Sequence, residues 1–202
     1  MKTIVTFCLG LLLVVTAPAV AGAPGPMETL RVPVNKVLAL LKDPQYNTPE
    51  KRKIQREKLF EYTGDIFDSV EISRRALGRN WRRFTPEQRK KFTELFAKIL
   101  KKTYSRKIQS TQEDYKVVWL GEKKTSPTRA VVMTKVVRPS GDFPVDYRMH
   151  LKNNRWKVYD VMVEGISLVK NYRSQFNRYL VNKKPAQLIA LLQKKVDRME
   201  NE

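Results

Sequence analysis

Between Arg155 and Leu180 the spacing of apolar residues changes from every second position to every third or fourth, and the rest of the chain is organised around that change. Trp156, Val158, Asp160 and Met162 alternate with Tyr159, Val161 and Val163, which predicts a strand with two distinct faces. Glu164-Gly165 breaks the alternation. Ser167 stands where a helix N-cap would, and Leu168, Tyr172, Phe176, Tyr179 and Leu180 then recur at helical spacing. A strand feeding straight into an amphipathic helix, with Gly165 supplying the turn, predicts an apolar space between sheet and helix.

The same pattern analysis divides the remaining chain. Leu30, Val34, Val37, Leu38 and Leu41 form a helical stripe ending at Asp43-Pro44, with Pro33 expected in its first turn or delaying its start. Thr48-Pro49-Glu50 opens a second helix, and a shorter one on Val70, Ile72, Ala76 and Leu77 closes at Gly78. Thr85-Pro86-Glu87-Gln88 is a capping box, followed by the apolar face Phe92, Leu95, Phe96, Ile99, Leu100 and Tyr104 as far as about Ile108. Residues 115–120, 128–138, 143–151 and 155–163 read as four strands, with Asn153-Asn154 as a tight hairpin. A last helix starts at Pro185. The prediction is an α+β fold: a four-stranded, antiparallel, curved sheet packed against several helices, with an apolar cavity between the two layers.

The N-terminus changes the picture of where this fold resides. Lys2, the apolar run Ile4 to Val15 and Ala19-Val20-Ala21 match a cleaved secretory signal over residues 1–21, leaving Gly22 as the mature N-terminus. Residues 22–202 are then one domain, long enough to bury a core without staples. The only cysteine, Cys8, lies in that leader, so no disulfide or thiolate chemistry is expected in the mature chain. The formal charge of +20 suggests an anionic surface or polymer as a partner. Secretion and the absence of any nucleic-acid motif argue against nucleic acid; solvated helix faces account for most of the charge.

Candidate chemistry is sparse. His150, the sole histidine, lacks companions for catalysis or metal binding. Asp160 and Glu164 could act as an acid–base pair, but fit structural roles better: Asp160 pinning a loop or pairing with an arginine, Glu164 bonding backbone amides. Ser167 reads as a cap rather than a nucleophile, and there is no GxSxG, HExxH or Gly-rich phosphate loop. Periodicity alone assigns the aromatic and methionine positions to a core.

The stretch from Trp156 to Leu168, which contains Tyr159-Asp160-Val161 and Glu164-Gly165-Ile166-Ser167-Leu168, resembles the signature of the MlaC, or toluene-tolerance, family. Asn171 to Phe176, Trp81 to Arg89 and the ending from Leu180 to Leu192 are similar to that family too, so the resemblance covers essentially the whole mature chain. It implies a periplasmic phospholipid carrier of Gram-negative cells, without enzymatic activity or cofactor. Its implied partners are an inner-membrane ABC transporter with an MCE-domain subunit and an outer-membrane lipoprotein–porin complex. A hopanoid-associated branch shares the pattern. A small enzyme using Asp160 and Glu164, or a basic protein binding anionic polymer, are the alternatives from other classes.

From the pattern, the expected lipid-contacting residues are Phe92, Phe96, Leu100, Tyr104, Val132, Val136, Tyr147, Met149, Val161, Val163, Ile166, Leu168, Tyr172 and Phe176. Arg148, Arg155, Lys170 and Arg173 are the expected headgroup cations, and Asp160, Glu164, Gly165 and Ser167 the structural motif.

Overall fold

The computed structural model describes residues 24–110 and 114–201; the expected leader and Cys8 lie outside them. Four helices come first: α1 (Pro26–Lys42), α2 (Pro49–Thr63), α3 (Ser69–Leu77) and α4 (Pro86–Ser110). The sheet follows as β1 (Lys116–Ser126), β2 (Arg129–Val137), β3 (Phe143–Lys152), β4 (Arg155–Val163) and the two-residue β5 (Ile166–Ser167). Helices α5 (Leu168–Leu180) and α6 (Pro185–Glu200) complete the chain.

Local chemistry sets most boundaries. The Thr85 hydroxyl accepts from the Gln88 amide at 3.2 Å and the Gln88 side chain accepts from the Thr85 amide at 3.1 Å, so the capping box starts α4. Gly78 ends α3 at φ +56°. Helix α1 begins earlier than the periodicity predicts, with Pro26 in the first turn, and Pro33 lies buried inside it.

The strands pair in chain order, all antiparallel. Asn153 and Asn154 both have positive φ and make the tight β3–β4 turn. Three bulges interrupt the ladders. Two, at Leu120 and Thr125, lie in β1, which runs on to Ser126, well past the expected end. The third corrects the strict alternation expected in β4. Met149 pairs with Val158 but Arg148 with Asp160, so Tyr159 is the extra residue. Trp156, Val158, Val161 and Val163 therefore share one face with Val145, Tyr147 and Met149, while Asp160 joins Arg148 on the other.

Buried apolar side chains form separate clusters. The helical one joins α3, α4, α5 and α6 around Phe92, Phe96 and Phe176, whose rings meet at 5.3–5.5 Å. The sheet cluster joins Ala130, Val132, Met149, Trp156 and Val158 to Leu30 of α1. The Met27 amide of α1 donates to Glu122 of β1 at 2.7 Å, fastening the helix across that inner face. A smaller cluster of Leu40, Tyr46 and Leu59 seals α1 to α2.

Candidate functional site: a seam between two cores

Among the described residues Phe67 is the one side chain packed against both the helical and the sheet cluster. The Asp68 amide donates to the Val158 carbonyl at 2.9 Å, tying this segment to the free edge of β4. Elsewhere the helical and sheet clusters are distinct. A close-packed domain usually has one contiguous core, so the seam between these two bodies is where space can exist.

The expected lipid-contacting residues separate accordingly. Phe92, Phe96 and Phe176 are closed within the helical core, and Val132 and Met149 within the sheet core. Leu100, Tyr104, Leu168 and Tyr172 on the helices stay half-buried, as do Val136, Tyr147, Val161 and Val163 on the inner sheet face. Ile166 is 64% exposed in β5, outside either core.

The phenols report the polarity of this region. Burial pushes the Tyr147 hydroxyl up to about 12, yet the residue keeps accessible surface. Burial also pushes Tyr104 up to about 12, helped by the neighbouring charge of Tyr172 and a hydrogen bond to it. Tyr172 is raised by burial and held back by that same bond. All three phenols are thus held toward the neutral form by burial while keeping some accessible surface.

The motif leading into α5 is structural. Asp160 is buried; its Oδ2 accepts from the Ser167 hydroxyl at 2.6 Å and its Oδ1 from the Val169 amide at 3.2 Å. Arg148 lies 3.7 Å from the same carboxylate. Ser167 accepts in turn from the Lys170 amide at 3.0 Å, capping the helix. Glu164 differs from its expected role. It sits exposed at φ +50° in a turn completed by Gly165 at φ +77°, and its own amide donates to Pro144. Buried Asp160 and exposed Glu164 do not converge on a cleft.

The four expected headgroup cations are dispersed. Arg148 is held on the outer sheet face and Lys170 is exposed in the first turn of α5. Arg155 lines a cleft of about 540 Å³ between Phe67–Val70 and the β3–β4 hairpin. Arg173 lines another of about 630 Å³ beside α3. In the first cleft, buried Asp68 takes Lys152 at 2.7 Å and His150 at 3.2 Å and caps α3 through the Glu71 amide, so the lone histidine has a structural partner. Periodicity gave no signal for this contact, 82 residues apart in the chain. Among the described residues no cluster of His, Cys, Asp and Glu could hold a metal, and no helix is long and apolar enough to cross a membrane.

A model of the MlaC protein family matches residues 32–194. The chain belongs to the MlaC family. Toluene tolerance protein ttg2D of Pseudomonas putida is 30% identical over 115 residues, 56% of this chain and 53% of that protein; the match thus spans about half of the relative. A phospholipid-binding protein from Ralstonia solanacearum, solved in complex with a phospholipid, has the same fold. It superposes with a TM-score of 0.74 over 88% of this chain and 99% of its own, at 23% identity. This MlaC-family chain thus has the α+β architecture, with one short strand more than its sequence pattern indicates.

Proposed function

We propose that this protein is a periplasmic phospholipid carrier that holds acyl chains in an apolar space along the seam between its helical and sheet cores. The observation that carries the reading is the set of half-buried residues Leu100, Tyr104, Leu168 and Tyr172 on the helices and Val136, Tyr147, Val161 and Val163 on the inner sheet face, beside two separately packed cores. The phospholipid bound by the Ralstonia protein of the same fold supports it.

The physics defines the task. Leaving a methylene in water costs about 0.8 kcal/mol, so one acyl chain costs on the order of 10 kcal/mol in transit. A carrier must shield the chain without holding it beyond release. Unbranched chains need apolar walls rather than directional bonds, which suits a lining with few polar atoms. The headgroup stays toward solvent and needs no dedicated cation, consistent with the scatter of Arg148, Arg155, Lys170 and Arg173. No cofactor enters the scheme. Asp160 is committed to Ser167 and Val169, which disfavours the acid–base alternative.

In this reading the chain is exported by a cleaved signal over residues 1–21 and shuttles lipid between two membrane complexes. These are an inner-membrane ABC transporter with an MCE-domain subunit and an outer-membrane lipoprotein–porin complex. The test is mass spectrometry of an organic extract from protein purified from the periplasm without detergent. Near-stoichiometric diacyl phospholipid is expected. A polycyclic isoprenoid lipid would move the protein to the hopanoid-associated branch. An empty extract from folded protein also offered phospholipid vesicles would overturn the carrier reading.

A further inference from the structure

The cleft of about 630 Å³ is lined by Arg74, Arg75, Gly78, Arg79, Trp81, Arg82 and Arg173. Five guanidinium groups thus converge from α3, the 3-10 turn after it and α5. Several are fixed in place. Glu71 accepts from Arg74 at 2.8 Å and from Arg75 at 2.7 Å. The Arg75 guanidinium also stacks 4.1 Å from the centre of the Tyr159 ring. Arg173 donates through Nε to the Arg75 carbonyl at 2.6 Å, and its stem lies 3.4 Å from where a Cβ on Gly78 would stand.

Among the described residues Glu71 is the carboxylate in contact with this group, with Asp68 acting on Arg74 from farther away, so the cluster keeps an excess of positive charge. Arg79 and Arg82 are exposed and have no partner among the described residues. Cations gathered in a concavity repel one another unless an anion joins them. We propose that this cleft binds the phosphate group of an anionic phosphate ester. The guanidinium fork matches phosphate oxygens in pairs, and Trp81 offers an amphipathic wall to the ester's organic part. A concave, preformed site favours a discrete phosphate over an extended acidic polypeptide. The inference does not rest on the carrier reading, because none of the half-buried residues assigned to lipid lines the cleft.

The experiment titrates the mature protein with sn-glycerol 3-phosphate, following the Trp81 indole N–H by NMR with Trp81→Phe fixing its assignment. Flotation with phosphatidylglycerol vesicles, against phosphatidylcholine vesicles, supplies the lipid arm. The expected result is a saturable shift at Trp81, with affinity reduced about tenfold in Arg79→Ala/Arg82→Ala by the loss of charge-assisted bonds. Lys123→Ala/Lys124→Ala, which removes the same charge from exposed positions of β1, should leave it unchanged. Tighter phosphatidylglycerol binding with the same variant pattern identifies a lipid headgroup as the source; equal affinity for the soluble ester identifies a free phosphate compound. Absence of a saturable shift overturns the proposal, as does equal loss in both double variants. Binding of a glutamate-rich peptide while the phosphate probes stay silent overturns it too.

Discussion

Replacing Asp160 tests whether the link between sheet and α5 is held by this one carboxylate. It accepts two hydrogen bonds at 2.6 and 3.2 Å while only 5% exposed. Hydrogen bonds to a charged group contribute roughly 1.5–3 kcal/mol each, so Asp160→Ala removes roughly 3–6 kcal/mol of interaction. Water entering the vacated space restores a part, which leaves a loss of about 3–5 kcal/mol. Asp160→Asn keeps an acceptor for the Val169 amide but turns an amino group toward a Ser167 oxygen that already accepts from Lys170. Its cost should be smaller, about 1–2 kcal/mol. Urea unfolding followed by circular dichroism is the assay. With a slope of about 2 kcal/mol per molar, the Ala variant should unfold about 2 M earlier than the parent, and the Asn variant less than 1 M or so earlier. An Ala variant within about 0.5 M of the parent would refute the reasoning, as would an Asn variant as unstable as the Ala one. Bound lipid in folded Asp160→Asn should equal that of the parent, since no catalytic duty is removed.

Burial disfavours ionised Asp68, but the Lys152 hydrogen bond, the Glu71 amide and the charges of Lys152 and His150 outweigh it and hold the carboxyl below its ordinary value. Its stabilisation is therefore present above about pH 4 and lost as pH falls further, and urea midpoints of Asp68→Asn should depend less on pH in that acid range than the parent's. Tyr104 and Tyr147 titrate in the folded chain at about 12 against about 10 when unfolded, so stability should fall between those values. The phenolate absorbance of these two should stay low at about pH 10 as long as the protein is folded; titration at about 10 in the intact protein would contradict their burial. Leu100→Trp or Val163→Trp should fill part of the seam and reduce co-purified lipid several-fold while the cooperative melt is retained; undiminished lipid would place the chains elsewhere.

The elements were largely legible in the sequence because their signals are local. The Thr85–Gln88 box, the Asn153-Asn154 turn and Ser167 as a cap each form as their residue types dictate. Strand β1 was read too short because Glu122-Lys123-Lys124 carries no alternation, as expected of an edge strand that uses charge against mispairing. The bulge at Tyr159 was invisible for a different reason: an extra residue is defined by its pairing with Arg148 and Met149, not by its own identity.

The site was legible only as faces. One stripe along α4 holds both the closed Phe92 and Phe96 and the half-open Leu100 and Tyr104, and periodicity cannot tell where a helix leaves its neighbours. The arginine cleft was not legible as a cluster. Arg75 and Arg173 meet across 98 positions, so the sequence marks Arg173 as an anion-facing cation without showing which arginines join it.

The two-core arrangement bears on how a lining can be reached at all. When a single continuous core must admit a guest, contacts break throughout it. Here, among the described residues, Phe67 is the apolar side chain packed against both the helical and the sheet cluster, so parting the layers for a guest would break few apolar contacts while each keeps its own packing. Such opening draws on local rather than global stability, and it leaves the sheet's hydrogen-bond ladder and the aromatic cluster of Phe92, Phe96 and Phe176 intact. Entry and exit then become a matter of parting two finished surfaces.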